Sequence, residues 1–485
     1  MRASRREWLA ASAAAGAAGM LSGCARVVDR ALPLPPAEPP PGIAVGRLGR
    51  LTRLLARAGF GPGPGDLALA AELGAERWVE MQLAASARPS AAQAARLRPA
   101  RALDVPGMEV RELPENAAIA LLQRATLLQA VYSPNQLLER LVDFWTNHFN
   151  IYARKRLGAA LKPRDDLDVV RPHALGTFPA MLRASAHSPA MLGYLDNDVN
   201  RRGRPNENYG RELLELHTLG VDAGYTQRDV LEVARCFTGW TVERRFLRAR
   251  GRFRFEAELH DDGEKTVLGH RIAPGGGRRD GERVLGILAA HPATARHVGG
   301  KLARCFLGEA GEAWTGRVAA IYERTGGDIR EMVSLLLQAP ELLSGPPILK
   351  RPFDLVVSAL RVTGADTDGG PALHEHLARM GQPLHEWPMP DGYPDASAPW
   401  SGSMLARWNF ALALAGGGIP GTSVPAAARE TDDALARAIL AGHGEGGVPA
   451  ADVLLRHVAR AGGAMRPSRA DLAGLALASP AFQWR

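Results

Sequence analysis

The apolar positions of this chain recur mostly at the spacing of an α-helix. Leu48, Leu51, Leu54 and Leu55 form one apolar stripe, and similar stripes return towards the C-terminus. Ser133-Pro134 and Ser188-Pro189 each place a capping residue directly before a proline. This order is typical of helix starts, because proline fits the first helical position. The pattern therefore predicts a chain that is built mainly from helices.

Two more helix starts are predicted in the middle of the chain. Pro205 would open a helix that runs through His217, and Gly220 would end it. Thr226 with Asp229 resembles a capping box, in which the side chain of each residue bonds the backbone of the other. A second helix would therefore begin there.

One stretch alternates between polar and apolar residues, as a β-strand does. It spans residues 252–259, and the turn-forming Asp261-Asp262-Gly263 separates it from a second short run at residues 265–268. These two runs predict a β-hairpin. The predicted fold class is mainly α, a large multi-helix domain with one small β-hairpin insertion.

The residues at the N-terminus follow one another in the order that is typical of an export signal. Arg5 and Arg6 precede an apolar run of small residues, which ends in Leu21-Ser22-Gly23-Cys24 and resembles the cleavage site of a lipoprotein. We expect residues 1–23 to be a twin-arginine signal peptide and Cys24 to carry lipid. The mature protein would then be a lipoprotein anchored to the membrane, in the periplasm or at the cell surface.

The expected signal peptide sets the remaining domain boundaries. Residues 24–46 are rich in proline and predict a tether. Residues 47–485 are expected to form one large helical domain, whose polar centre lies at residues 143–269. Cys236 and Cys305 sit in apolar helical patterns, so we expect both to be buried free thiols; the alternative, outside the cytoplasm, is a disulfide bridge between them.

The composition excludes several classes of protein. With 46% hydrophobic and 23% charged residues, the chain is neither disordered as a whole nor a polytopic membrane protein. The formal net charge is +8, and the signal peptide accounts for +2 of it. The arginines are scattered along the sequence and there are few lysines, so no clustered basic face is visible. We therefore expect no nucleic-acid partner.

Candidate chemistry is concentrated in the polar centre. Asn208, Glu212 and Glu215 share one face of their predicted helix, and Glu207 and Arg211 share the next face. Carboxylates and imidazoles from separate elements are the donors that a divalent metal ion requires. The candidate metal ligands are His148, His187, Glu207, Glu212 and His260, and Asp261 or Glu215 is the candidate general base.

Each of these residues also has a structural interpretation. His148 is equally compatible with a hydrogen-bonded histidine of the core, and Glu207 with Arg211 is compatible with a plain ion pair. Asp229 is compatible with a helix cap. None of the spacings is a specific metal-binding motif.

Several segments resemble a large exported bacterial family, known as domain of unknown function eighteen hundred. The segments that carry the resemblance are residues 144–149, 187–192, 206–216, 225–230, 237–240, 260–261 with 265–269, and 381–383 with 387–393. The resemblance extends from about Leu51 to the C-terminus and implies a predominantly helical fold. It implies no settled reaction. It also implies a neighbouring co-exported protein that is related to sulfatases and phosphatases.

The sequence departs from this family at two positions. Relatives commonly have a second histidine where this chain has Thr146, and an aromatic residue where it has His217. The first departure weakens a metal site at this end of the helix, and the second leaves His217 without a role that the resemblance could supply.

Two functions fit these observations. The first is an exported metal-dependent enzyme, most simply a hydrolase, because a metal ion lowers the pKa of bound water and a nearby carboxylate can remove its proton. The second is a non-catalytic envelope scaffold or chaperone for a co-exported partner of the sulfatase and phosphatase type. In that case the polar centre would only stabilise the fold.

Overall fold

The computed structural model describes residues 47–84, 91–103, 113–244, 251–425, 434–440, 444–445, 448–461 and 468–485. The predicted signal peptide, the tether and Cys24 lie outside the described residues. Within those residues the protein is mainly α-helical, as predicted. In the same part of the chain, no helix is both long enough and apolar enough to cross a membrane.

The N-terminal helices bury their predicted apolar stripes in the core. They span Arg47–Ala58, Asp66–Leu73, Ala75–Leu83, Ala91–Arg96, Glu115–Tyr132 and Gln136–His148, with a 3-10 turn at Arg98–Leu103. Leu51, Leu54 and Leu55 of the first helix are buried. Residues three or four positions apart share one helix face, so this stripe covers the core while Arg50 stays exposed.

Two of the central helices begin where the capping residues predicted, whereas the helix predicted to begin at Ser133-Pro134 begins at Gln136, with Asn135 at its N-cap. The central helices span Gly158–Asp165, Arg171–His173, Phe178–Ala186, Pro189–Tyr194, Asn208–Glu212 and Gln227–Cys236, with a 3-10 turn at Asn197–Val199 and π-helical segments at Asp166–Val170 and Leu213–Thr218. The Ser188 side chain accepts a hydrogen bond from the backbone of Met191. Thr226 and Asp229 form the predicted capping box. These two predictions are confirmed.

The helix predicted to begin at Pro205 begins later, at Asn208. Asn206 explains the delay, because its side-chain oxygen accepts a hydrogen bond from the backbone N–H of Asn208 at 3.0 Å. This local bond favours a turn over a helix at residues 206–207.

The predicted β-hairpin is wrong in its pairing. Phe253–Phe255 pairs with Trp240–Val242, and Lys265–Val267 pairs with His270–Ile272, both antiparallel. Each of the two predicted strands therefore has a different partner. Further along, Asp366–Thr367 pairs with Thr422–Ser423 and Gly444–Glu445 with Val448–Pro449. The described residues thus hold four two-stranded sheets where the alternating pattern predicted one hairpin.

The C-terminal part of the described chain is again helical. Its helices span Arg278–Ala290, Pro292–Leu307, Thr315–Thr325, Ile329–Leu337, Pro340–Ser344, Pro352–Val362, Pro371–Arg379, Ala398–Ser401, Met404–Gly416, Ala434–Ile439, Ala450–Ala461, Arg469–Ala478 and Pro480–Gln483, and 3-10 turns occur at Ala257–Leu259 and Gly308–Trp314. Cys236 and Cys305 are both free thiols, as predicted, and Cys305 is only partly buried.

The apolar side chains form two large clusters. The first includes Trp145, Phe178 and Trp240, and it extends along the chain as far as Leu342. The second is built mainly from residues after Pro352, such as Phe353 and Phe410, but it also takes in Phe60. Helices from the N-terminal part of the chain therefore contribute to both clusters.

A buried ion pair joins the two clusters. Arg140 lies on helix Gln136–His148 and donates a hydrogen bond to Asp354 at the start of helix Pro352–Val362. Their side chains are only 1% and 2% exposed. The Asp354 carboxylate also lies 3.7 Å from the Arg351 guanidinium and 3.8 Å from that of Arg485. The three arginines lower the pKa of Asp354 although burial alone would raise it.

Lys350 lies beside this pair and is buried with it. Its amine donates a hydrogen bond of 2.8 Å to Ser358 and lies 3.6 Å from the ring centre of Phe482. Burial, reinforced by the positive charges of Arg485 and Arg140, lowers the pKa of Lys350 to about 7. This amine is therefore the buried group of the network that changes charge near neutral pH.

Replacement of Asp354 by Asn should destabilise the protein strongly. Removing one partner of a buried ion pair leaves the other charge uncompensated and costs about 3–5 kcal/mol. Denaturant unfolding would measure this loss. Asp366→Asn is the matched control, since the Asp366 side chain is 67% exposed and pairs with Arg96 at the surface. Its free energy of unfolding should change by less than about 1 kcal/mol, and equal losses in the two variants would contradict the role assigned to Asp354.

The charge of Lys350 should make stability depend on pH. Below pH 7 the amine is protonated in both the folded and the unfolded state, so folding carries the full penalty of burying the charge. Between its folded pKa of about 7 and its ordinary value of 10.5 the folded protein binds fewer protons, so stability should rise with pH. Lys350→Met should reduce this slope by about 1.4 kcal/mol per pH unit. An unchanged slope in denaturant unfolding across this range would contradict the prediction.

Candidate functional site

Two of the predicted metal ligands are paired elsewhere in the protein. His187 Nε2 lies 3.0 Å from the Glu282 carboxylate, and its ring packs against Trp240 and Phe253. His260 Nε2 lies 3.1 Å from Asp280, whose carboxylate also accepts a hydrogen bond of 2.6 Å from Lys265. Each of these histidines therefore already has its own acidic partner.

Two of the acidic candidates are neutralised by arginine. Glu207 pairs with Arg211 at 3.1 Å and also accepts a hydrogen bond from Gln227. Asp261 accepts two hydrogen bonds from Arg235, at 2.8 and 3.2 Å, and this pairing lowers the pKa of Asp261. The plain ion pair of Glu207 with Arg211 is thus the arrangement that the structure shows.

The five predicted metal ligands do not form one site. Among the residues that the structure describes, no group of three or more His, Cys, Asp or Glu side chains is placed to hold a metal ion. The expected ligand set does not assemble because His187 and His260 have other acidic partners and Glu207 pairs with Arg211. A metal ion held by His148, His187, Glu207, Glu212 and His260 together does not fit this structure.

Other residues, from the segments that carry the family resemblance and next to them, do lie close together. They meet at the C-terminal end of helix Gln136–His148. Asn147 donates to the Tyr393 carbonyl at 2.9 Å and accepts from the Tyr393 N–H at 2.7 Å. Asn150 donates to the carbonyls of Trp387 and Met389 at 3.1 and 2.6 Å. Two asparagines thus fix the loop of residues 387–393 against the end of this helix.

Glycine is required at the closest point of this contact. Gly392 has a φ of 76°, in the left-handed region, and a Cβ at this position would overlap the Asn147 carbonyl oxygen. The loop could not approach the helix with a larger residue there. Its neighbour Asp391 is exposed and accepts a hydrogen bond of 2.9 Å from the Trp387 indole.

Three histidines lie close together behind this loop. The ring centre of His148 is 6.2 Å from that of His217 and 6.2 Å from that of His297. Burial is the main cause that lowers their pKa values, to about 3 for His217 and about 4 for His297, and the charge of Lys301 adds to it. The pKa of His148 is also well below its usual value, again mainly because of burial. All three rings are therefore neutral at neutral pH.

Two nitrogen atoms of these rings have no partner among the described residues. His148 Nε2 lies 3.2 Å from the His217 carbonyl, so it must carry the hydrogen. Its Nδ1 is then a bare acceptor, buried and without a donor. His217 Nε2 is likewise buried and unpartnered. Buried atoms without partners also occur elsewhere in the described residues, such as Trp240 Nε1 and His385 Nδ1, but the two nitrogens of His148 and His217 lie near the charge of Lys301.

Lys301, on helix Pro292–Leu307, completes this group. Its amine makes no hydrogen bond or ion pair within the described part of the chain. Burial lowers the pKa of Lys301, whereas the nearby charges of Asp395 and Asp391 raise it. A partly buried amine without a fixed partner is available to a bound molecule.

The acidic side of the site comes from Glu212, Glu215 and Asp391. Burial raises the pKa of Glu212, and the negative charges of Glu215 and Asp391 raise it further. Tyr225 interacts with Glu215, and the charges of Glu212 and Asp391 both act on Tyr194. The three carboxylates therefore share one electrostatic environment, which borders the amine of Lys301 through Asp391.

A π-helical segment gives the site its shape. The helix widens at Leu213–Thr218, where the backbone N–H of Leu219 bonds the carbonyl of Leu214, five residues earlier. In a straight α-helix Glu212 and His217, five residues apart, would point in different directions. The wider turn changes the direction in which the residues after Glu212 project, and such segments occur frequently at functional sites.

A small cavity lies on another face of helix Gln136–His148. Its volume is about 50 Å³, enough for a few water molecules, and Asp143, Thr146, Asn147, Arg171 and His385 are among the residues that line it. Asp143 is paired there with Arg351, and burial raises its pKa. This cavity is separate from the group around Lys301.

Only part of this site could be recognised from the sequence. His148, Glu212 and Glu215 were among the candidate residues, and Asp391 belongs to a segment that carries the resemblance. Lys301 and His297 were missed, because neither lies in a recognisable motif. The rarity of lysine was the only available signal, since the chain has just five.

The comparisons with known proteins agree with the resemblance. A family model described as a protein of unknown function (DUF1800) matches residues 53–484. No protein with a curated description and no solved structure matches the chain. Since the family model covers well over half of the sequence, the chain belongs to the DUF1800 family.

Proposed function

We propose that this protein is an exported hydrolytic enzyme whose acid and base are Glu212 and Glu215. The observation that carries the proposal is the gathering of unsatisfied polar groups at one place. The free amine of Lys301 and the unpartnered nitrogens of His148 and His217 meet there. A polar network that only stabilises a fold satisfies its own donors and acceptors, whereas a substrate site keeps some of them free.

Glu212 has the property that a general acid requires. The raised pKa of Glu212 favours its protonated form, which is the form that donates a proton to a leaving group. Glu215 lies beside it and would act as the base. The negative charge of Glu215 is itself one cause of the raised pKa of Glu212, so each carboxylate supports the role of the other.

The step that follows needs only these groups and water. Glu215 takes a proton from the attacking water while Glu212 gives its proton to the atom that leaves. The bond to the leaving atom breaks as the bond to the water oxygen forms. Lys301 donates a hydrogen bond to the oxygen on which negative charge develops, and this electrostatic assistance would be strong because the amine is partly buried.

Three of the five predicted metal ligands have no part in this step. His187, Glu207 and His260 are engaged elsewhere, and no step is assigned to a metal ion. Asp261, the other candidate base, is held by Arg235 and is not free to accept a proton. Export by the twin-arginine route and a lipid anchor at Cys24 belong to the same proposal.

A second candidate function is the non-catalytic envelope scaffold for a co-exported partner. It is favoured by the satisfied ion pairs at Glu207, His260 and Asp261, which look like a network that stabilises the fold. This function explains the paired half of the polar centre. It does not explain why the groups around Lys301 have no partners.

Glu212→Gln should abolish hydrolysis without unfolding the protein. A panel of p-nitrophenyl esters, glycosides and phosphates would identify the class of bond that the purified protein cleaves. The variant should lose about 100-fold or more in kcat/KM, since it cannot donate the proton. Glu207→Gln, on the same segment but paired with Arg211, is the matched control and should keep its activity.

The pH profile and the metal dependence of the hydrolytic activity provide two further tests. Activity should fall on the alkaline side as Glu212 loses its proton, at a higher pH than an ordinary carboxyl group would give. EDTA should leave the activity intact, and a loss that a divalent ion restores would favour the metal-dependent hypothesis. The proposal fails if no substrate class is cleaved or if the Glu212→Gln and Glu207→Gln variants are equally active.

Arg211→Gln distinguishes the scaffold. If the polar centre serves only to stabilise the fold and to hold a partner, this change should lower the melting temperature and weaken co-purification with the neighbouring exported protein. Glu212→Gln should then leave the complex intact. Normal complex formation by the Arg211 variant would count against the scaffold.

A further inference from the structure

We propose that a surface of arginines around Asp198 binds the phosphate headgroups of anionic lipids. We define this arginine surface by Arg156, Arg201, Arg202, Arg204 and Arg244. These residues come from three separate stretches of sequence, which is why the basic residues looked scattered along the chain. Its expected role is to bind the protein to a membrane, with the arginine surface facing the lipid headgroups.

A buried carboxylate organises the centre of the arginine surface. The Asp198 side chain is only 2% exposed, and it accepts hydrogen bonds of 2.9 and 3.0 Å from the Arg156 guanidinium. Arg244 pairs with the other side of the same carboxylate and stays 52% exposed. One buried acid thus holds two guanidinium groups together at the surface.

A tight turn presents the other three arginines. Arg201 and Arg204 form an antiparallel bridge around Gly203, whose φ of 75° allows the turn. Residues opposite each other in such a bridge project on the same side. The turn is fixed to the protein by a hydrogen bond of 2.7 Å from the Arg202 N–H to the Leu259 carbonyl. All three side chains are exposed, and none is paired within the described residues.

The charge of this surface is strongly positive. Lys155 lies at its edge and pairs with Asp196 at 2.8 Å. The arginine surface and Lys155 thus supply six cations against the carboxylates of Asp196 and Asp198, both of which are already paired. Glu258, next to Leu259, borders the patch. The chain as a whole carries a formal charge of only +8, so these six cations are a large local concentration of positive charge.

Lipid headgroups fit this surface better than other anions. A guanidinium group forms paired hydrogen bonds to phosphate oxygens. Val199, at the base of the turn, is 52% exposed and would contact the apolar region just below the headgroups. The lipid anchor proposed at Cys24 would also keep the protein close to a membrane.

Flotation with lipid vesicles tests the proposal. The full chain would carry Cys24→Ser, so that binding reports the protein surface and not an attached lipid. It should bind vesicles of phosphatidylcholine with phosphatidylglycerol, and it should not bind phosphatidylcholine alone. Replacing Arg201, Arg202 and Arg204 by Gln should weaken binding on the order of 100-fold, and added salt should weaken it as well.

A matched variant controls for total charge. Arg296, Arg324 and Arg456 are exposed and distant in sequence from the arginine surface, and their replacement by Gln should leave binding within a few-fold. Melting temperatures of both triple variants would show that they are folded. Equal losses in the two triple variants would overturn the proposal, and so would equal binding to both kinds of vesicle. Binding to heparin or DNA without binding to anionic vesicles would also overturn it.

Discussion

The pairing of Arg140 with Asp354 is the interaction on which the rest of this fold depends. It joins helix Gln136–His148 to helix Pro352–Val362, and these helices belong to different apolar clusters. Arg140 also donates to the Gly59 carbonyl at 2.6 Å, which adds the end of the first helix to the junction. A buried charge is tolerated only when it is fully paired. The ion pair therefore fixes the position of one apolar cluster relative to the other.

That constraint reaches the candidate site through a single helix. Arg351, next to the junction, pairs with Asp143 one turn after Arg140. One turn further on, Asn147 fixes the loop of residues 387–393, and His148 faces the other histidines. The helix therefore transmits the geometry of the junction to the position of Asp391.

Local features of this fold could be predicted from the sequence, whereas long-range pairings could not. The caps at Ser188 and Thr226 depend on residues within one helical turn, and both were confirmed. The strand at Phe253–Phe255 was recognised from its alternation, but its partner at Trp240–Val242 was not. The same limit explains the site, because Glu282 and Asp280 compete for His187 and His260 and no local pattern reveals that competition.

In the polar centre, the paired groups stabilise the fold, whereas the unpartnered groups are the candidates for function. An unsatisfied buried donor or acceptor costs about 1–3 kcal/mol, and a stable protein tolerates few of them. At His260 and Asp261 the cost is avoided by Asp280 and Arg235. At His148 and His217 it is not avoided, although both rings are almost fully buried. Because both nitrogens lie in the interior, a bound molecule could remove this cost only if the structure around the rings opened, so the free protein carries the full penalty.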